Sequence, residues 1–185
     1  MQALEVYGKY SKNWLRNQDR IDIPYFVGRS YEMAGVFKES EHIYESTLKD
    51  MHRSVNEMRS AKSQLQRYAE LLEDNDDAKE LLEKGESLMK RITSWEENLI
   101  QPKQKTFQDV INYNNKLNAQ LLHLKGYVDT AEPKVTSGAT ERWADLQKDW
   151  QVYEKERAAI VEEEMGNYNT MYKELGLPAV IMSKL

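Results

Sequence analysis

From Tyr44 to Leu72 the chain sets Tyr44, Leu48, Met51, Val55, Met58, Lys62, Leu65, Ala69 and Leu72 at steps that alternate four and three residues without a slip. That spacing keeps side chains on one face of an α-helix and makes a seam for a second helix. Only Lys62 departs from apolar content, and its long stem suits an apolar surface with the ammonium in water. The pattern predicts a helix from about Tyr31 to Leu72. Roughly 40 residues at ~1.5 Å each make a rod of about 60 Å. Such a rod buries its stripe only against partners of similar length, and no other feature constrains the fold as strongly.

The partners follow in order. Asp74, Asn75, Asp76 and Asp77 make a turn, since Asn and Asp favour turns and helix N-caps. A second stripe runs through Ala78, Leu81, Gly85, Leu88, Ile92, Trp95 and Leu99. Gly85 on that stripe admits a close neighbour or a large side chain, at about 1 kcal/mol in helix propensity relative to Ala. The pattern then stops between Leu99 and Asn118. Pro102 has no N–H to donate inside a helix, and Gln101 before it is biased away from helical angles. Thr106 and Asp109 form a capping-box-like pair ahead of Val110 and Ile111.

The stripe resumes as Val110, Asn114, Leu117, Leu121, Leu124, Val128 and Ala131, one residue out of phase with an extension by sevens from Leu99. Asn114 is thereby expected to face inward, where a buried amide needs partners. Glu132, Pro133 and Lys134 end this helix, and Thr136 or Ser137 caps the next. Its stripe is Ala139, Trp143, Leu146, Trp150, Tyr153, Arg157 and Ile160. It continues one residue out of phase as Val161, Met165, Tyr168, Tyr172 and Leu175, before Gly176 and Pro178 stop it.

These lengths predict an all-α fold: an elongated antiparallel bundle of three rods, or four helices if the break is wide, with a broken middle helix. The helical bundle is assigned to residues 31–178. Residues 1–30 read as an extended N-terminal arm or a junction to a preceding domain, because Trp14, Tyr25 and Phe26 gain by packing. Residues 179–185 read as an apolar tail.

The chain carries 26 basic and 31 acidic residues, a net charge of -5, which argues against a general nucleic-acid binder. The absence of cysteine removes disulfides, thiolate nucleophiles and Cys-ligated metals. No apolar run is long enough for membrane insertion. His42, His52 and His123 show no metal-ligand spacing, and neither acidic cluster, Glu70 to Glu83 nor Glu162 to Glu164, has a cation-loop pattern. No cofactor is implied. Trp95, Trp143 and Trp150 sit at helical spacing and read as core. Lys9, Lys12, Arg16, Arg20 and Arg29 interleave with aromatics in the arm but are diluted by Glu5, Asp19 and Asp22.

The break has the most unusual composition. Pro102, Gln104, Thr106, Gln108, Asp109, Asn112, Asn114 and Asn115 are the candidate residues. They read either as a structural kink whose freed backbone groups are met by amide and hydroxyl side chains, or as a docking surface for a neighbouring domain.

Three stretches carry a family resemblance: SVNEMRSAKSQL from Ser54 to Leu65, WEENLIQPKQKTFQDVINYNNKLNAQLLHL from Trp95 to Leu124, and ELGLPAV from Glu174 to Val180. In this order they resemble the C-terminal helical region of bacterial BNR-repeat glycosyl hydrolases and sortilin-like propeller proteins. The resemblance spans about Tyr31 to Val180. It implies a helical domain beside a β-propeller in a larger, extracytoplasmic (periplasmic or cell-surface) protein. The propeller's Asp-box motif is absent here, so no catalytic residue carries over. The implied function is a non-catalytic accessory or interaction domain whose partner is the neighbouring propeller or another protein. The alternative is a free-standing, spectrin-like adaptor bundle that dimerises or binds a protein.

Overall fold

A computed structural model describes residues 37–130 and 135–179. The expected arm over 1–30, the first turns from Tyr31, and the tail beyond Ala179 lie outside the described residues. Among the described residues there is no strand, and the long elements are all α-helices: α1 (Phe37–Leu72), α2 (Lys79–Leu99), α3 (Leu117–Thr130), α4 (Ser137–Ala159) and α5 (Met165–Glu174). A π-helical turn, Ile160–Glu164, joins α4 to α5 without a break, so the two form one rod.

The turns are built as their residues require. Asn75 caps a short 3-10 turn by accepting from the Asp77 N–H at 3.1 Å. Thr136 is the residue that caps α4, its hydroxyl accepting from the Ala139 N–H at 3.3 Å. Gly176, at φ 63°, ends α5 in the left-handed conformation that glycine adopts without penalty.

Side-chain pairs give the directions of the rods. Arg59 pairs with Glu96 and Lys62 with Thr93, so three residues forward on α1 is three back on α2. Glu45 pairs with Lys125 and His52 with Asn118, so α3 also runs antiparallel to α1. Tyr44 lies against Trp143, Glu57 against Arg157 and Tyr68 against Tyr172, so the α4–α5 rod runs parallel to α1. This is an up-down-up bundle of three rods, with α2 and α3 sharing the middle one.

The predicted stripes make the core. Met51, Val55, Met58, Leu81, Leu88, Ile92, Trp95, Leu99, Trp143, Leu146 and Ile160 are each at most 2 % exposed. The three stripe tryptophans are buried, and the Trp95 indole donates to the Tyr153 carbonyl at 2.8 Å. Lys62 is half-buried on the seam: its ammonium donates to the Thr93 hydroxyl at 2.7 Å, and Thr93 in turn donates to the Met89 carbonyl.

The second phase slip needs a correction. Val161 and Leu175 are exposed, at 39 % and 40 %, whereas Ile160 and Tyr168 are buried. From Ile160 to Tyr168 is eight residues, one more than a heptad. The π turn absorbs the extra residue: the Met165 N–H reaches back to the Ile160 carbonyl, five residues away. The inward face therefore passes through Ile160, Met165 and Tyr168, and Val161 turns to solvent.

That turn aims Tyr168 at Gly85. A Cβ on Gly85 would lie 3.1 Å from Tyr168 Cε2. Gly85→Ala gains about 1 kcal/mol of helix propensity and spends a similar amount displacing a buried ring, so we expect it to lie close to the parent. Gly85→Val adds branches inside the ring's volume and should lose about 2 kcal/mol in urea unfolding.

Candidate functional site

The middle rod opens between α2 and α3, and its register measures the opening. Stepping back seven residues on α1, from Arg59 to His52, moves the partner from Glu96 to Asn118, twenty-two residues along. A continuous helix would use seven. Fifteen residues thus leave the rod and return to it.

Fifteen is two heptads plus one, which accounts for the one-residue displacement of the stripe. Leu99 and Leu117 are three residues apart once the excursion is set aside, and Leu121, Leu124 and Val128 continue in four-three steps. The break is therefore a loop set into a helix that would otherwise run on in phase. The expected kink is corrected on this point.

The loop is held by its own polar groups, in the manner of an Ω-loop. At the neck, Gln104 Nε2 donates to the Tyr113 carbonyl at 2.6 Å and to Asn115 Oδ1 at 3.0 Å. Gln101 Nε2 donates to the Asn114 carbonyl at 3.4 Å, and Gln120 Nε2 to the Asn115 carbonyl at 3.0 Å. Past the neck, Asn118 Oδ1 lies 2.7 Å from His52 Nε2 and ties the first turn of α3 to α1.

At the far side, Thr106 and Asp109 form the anticipated capping box, on a 3-10 turn, Phe107–Ile111. Asp109 Oδ2 accepts from the Lys105 and Thr106 N–H groups, each at 2.7 Å. The Asn112 and Tyr113 N–H groups close on the Asp109 carbonyl at 3.1 and 2.9 Å. The amide side chains of Gln101, Gln104, Asn115, Asn118 and Gln120 are used in holding the loop and its junction, whereas Asn112 and Asn114 enter through backbone groups.

Gln104 with Asn115, and Thr106 with Asp109, are brought together; Asn112 and Asn114 join through their backbone. Pro102, Gln108, Asn112 and Asn114 are exposed. Asn114 is not an inward-facing amide, because the excursion carries it out of the rod before the core resumes at Leu117. For the same reason Val110 is not the start of a buried stripe and is 44 % exposed.

The residues that sequence reasoning passed over are apolar. Ile111 is 83 % exposed and Tyr113 36 %, beside Val110. The Lys103 ammonium sits 5.8 Å from the centre of the Tyr113 ring, within cation–π range. The available signal was Asn114, a polar residue four positions after Val110 where a buried stripe would carry an apolar one.

The Asp109 carboxyl is held below its ordinary 3.8, first by the Lys105 N–H and next by the Thr106 N–H, both of which favour the charged form. A depressed carboxyl supports the folded loop above the ordinary value and loses that support as pH falls through the folded one. In an acid titration by NMR, the Lys105 and Thr106 amide shifts should therefore move with a midpoint below 3.8. Asp109→Ala should release both amides to fast exchange at neutral pH, with helix content unchanged.

Among the described residues no group of three or more His, Cys, Asp or Glu is placed to hold a metal ion, and no helix is long and apolar enough to cross a membrane. Comparison with protein families, with curated proteins and with solved structures finds no match to this chain.

Proposed function

We propose that this chain is a non-catalytic interaction module: a helical rod that presents the residue 100–116 loop to a protein partner. One observation carries the reading. The loop leaves and rejoins the middle rod without altering its heptad phase, and it holds Ile111 83 % exposed at its tip. A rod of this kind does not need the excursion to bury its core, and a loop held by its own hydrogen bonds that exposes Val110, Ile111 and Tyr113 has the form of a recognition element.

The family resemblance points to a β-propeller of the same larger protein as the partner, in an extracytoplasmic setting, with the helical region as its accessory domain. The test is calorimetric titration of that propeller, produced separately, into the full chain and into Ile111→Ser. Binding that weakens about tenfold on substitution supports the reading. No binding of the propeller removes it as the partner. Binding indifferent to Ile111→Ser removes the loop as the site.

A further inference from the structure

We propose that the loop takes an acidic partner segment carrying a large apolar side chain, which deepens the docking reading above and rests on it. The argument is the charge of the loop against that of the rod. Residues 100–116 hold Lys103, Lys105 and Lys116 against the single carboxylate of Asp109. Taking these from the chain's 26 basic and 31 acidic residues leaves 23 against 30. The loop is a cationic island of net +2 on a chain that is otherwise -7.

Its one carboxylate is also turned inward chemically, because Asp109 Oδ2 already accepts two backbone N–H groups. Lys103 stands over the Tyr113 ring, and the exposed Lys105 shares the loop with the exposed Val110 and Ile111, with little opposing charge on the loop itself. A negatively charged segment is repelled by the rod and attracted at the loop, so the field narrows its approach to this place. The apolar tip then supplies the burial that a purely ionic contact lacks. A patch of three apolar side chains is small, which suits a transient contact at the low end of interface size.

The test is selection of a random twelve-residue peptide library on the full chain at low salt, with counter-selection on Ile111→Ser. The substituted residue is exposed, so the variant is checked only for unchanged helix content. Enriched peptides should carry net negative charge and at least one large apolar residue. A synthetic representative should shift the Ile111 methyl signal. Its affinity should fall about fivefold or more in Lys103→Glu/Lys105→Glu, and also on raising salt to about 0.5 M.

Enriched peptides of net positive or neutral charge that still need Ile111 would overturn the acidic assignment while leaving the docking reading in place. Absence of any Ile111-dependent peptide would overturn both. Tighter loop-dependent binding of a single-stranded oligonucleotide would replace the peptide class. Concentration-dependent shifts of Ile111 without peptide would assign the loop to a second copy of the chain.

Discussion

Excising residues 101–115 should leave a folded and slightly more stable protein. The cut joins Ile100 to Lys116, which places Leu117 three residues after Leu99 and carries the four-three stripe from Ile92 to Val128 without interruption. Pro102, the only proline in the opening, is removed with it. The register against α1 also closes, since the fifteen residues removed are those by which the His52–Asn118 pair runs ahead of the Arg59–Glu96 pair. Closing a loop of this length costs about 2 kcal/mol of chain entropy. Its removal should raise stability by about 1–2 kcal/mol and the midpoint of thermal unfolding by several degrees.

The control is a cut of one residue more, 101–116. Leu117 then follows Leu99 by two residues, about 200° round the helix, so this variant cannot present Leu99 and Leu117 to the core together. Leu117, Leu121, Leu124 and Val128 are all under 10 % exposed in the parent. Turning them out forfeits about 1.5–3 kcal/mol for each fully buried side chain. The sixteen-residue cut should lose roughly 5 kcal/mol or more, a large part of the stability of a domain this size. Circular dichroism through a thermal scan separates the two. Equal stability of the two variants would mean that α2 and α3 are not phased halves of one rod.

A second large contrast is expected from single-residue deletions. Removing Glu163 from the π turn should be tolerated, because it converts the turn to ordinary α-helix and sets Ile160, Met165, Tyr168 and Tyr172 in clean four-three-four steps. Five-residue backbone bonds give way to four-residue ones. The cost is a small slide of Tyr168 over Gly85, where contact is already close. A loss of about 1 kcal/mol or less is expected.

Removing Asn56, equally exposed but in the middle of α1, should be far worse. No π turn lies in α1 to absorb the change, so either Tyr44, Leu48, Met51 and Val55 or Met58, Leu65 and Leu72 must leave the core. We expect a loss of roughly 5 kcal/mol or more, seen as loss of cooperative unfolding. Comparable damage from both deletions would show that the π turn is held by its surroundings and is not simply one surplus residue.

Both contrasts rest on phase, and phase was visible in the linear pattern. The two one-residue slips, after Leu99 and after Ile160, are readable from spacing. Their meaning is not, because a surplus of one residue and a surplus of fifteen leave the same remainder over sevens. Tertiary pairing distinguishes them. His52 with Asn118 shows that two whole heptads left the middle rod, whereas the Met165 N–H on the Ile160 carbonyl shows that only one residue is extra in the third.

The candidate site divides the same way. The Thr106–Asp109 box and the break at Pro102 are local chemistry, settled by residues within hydrogen-bond reach along the chain. The exposure of Ile111 and the outward place of Asn114 are not local. They follow from the loop being drawn closed at Gln104 and Asn115, eleven residues apart, while the rod continues beneath. Periodicity thus determined the helices, their apolar faces and their antiparallel order, because a helix must bury its stripe along its whole length. Which apolar residues were left in water was decided only by how the rods close on one another, since burial depends on neighbours distant in sequence.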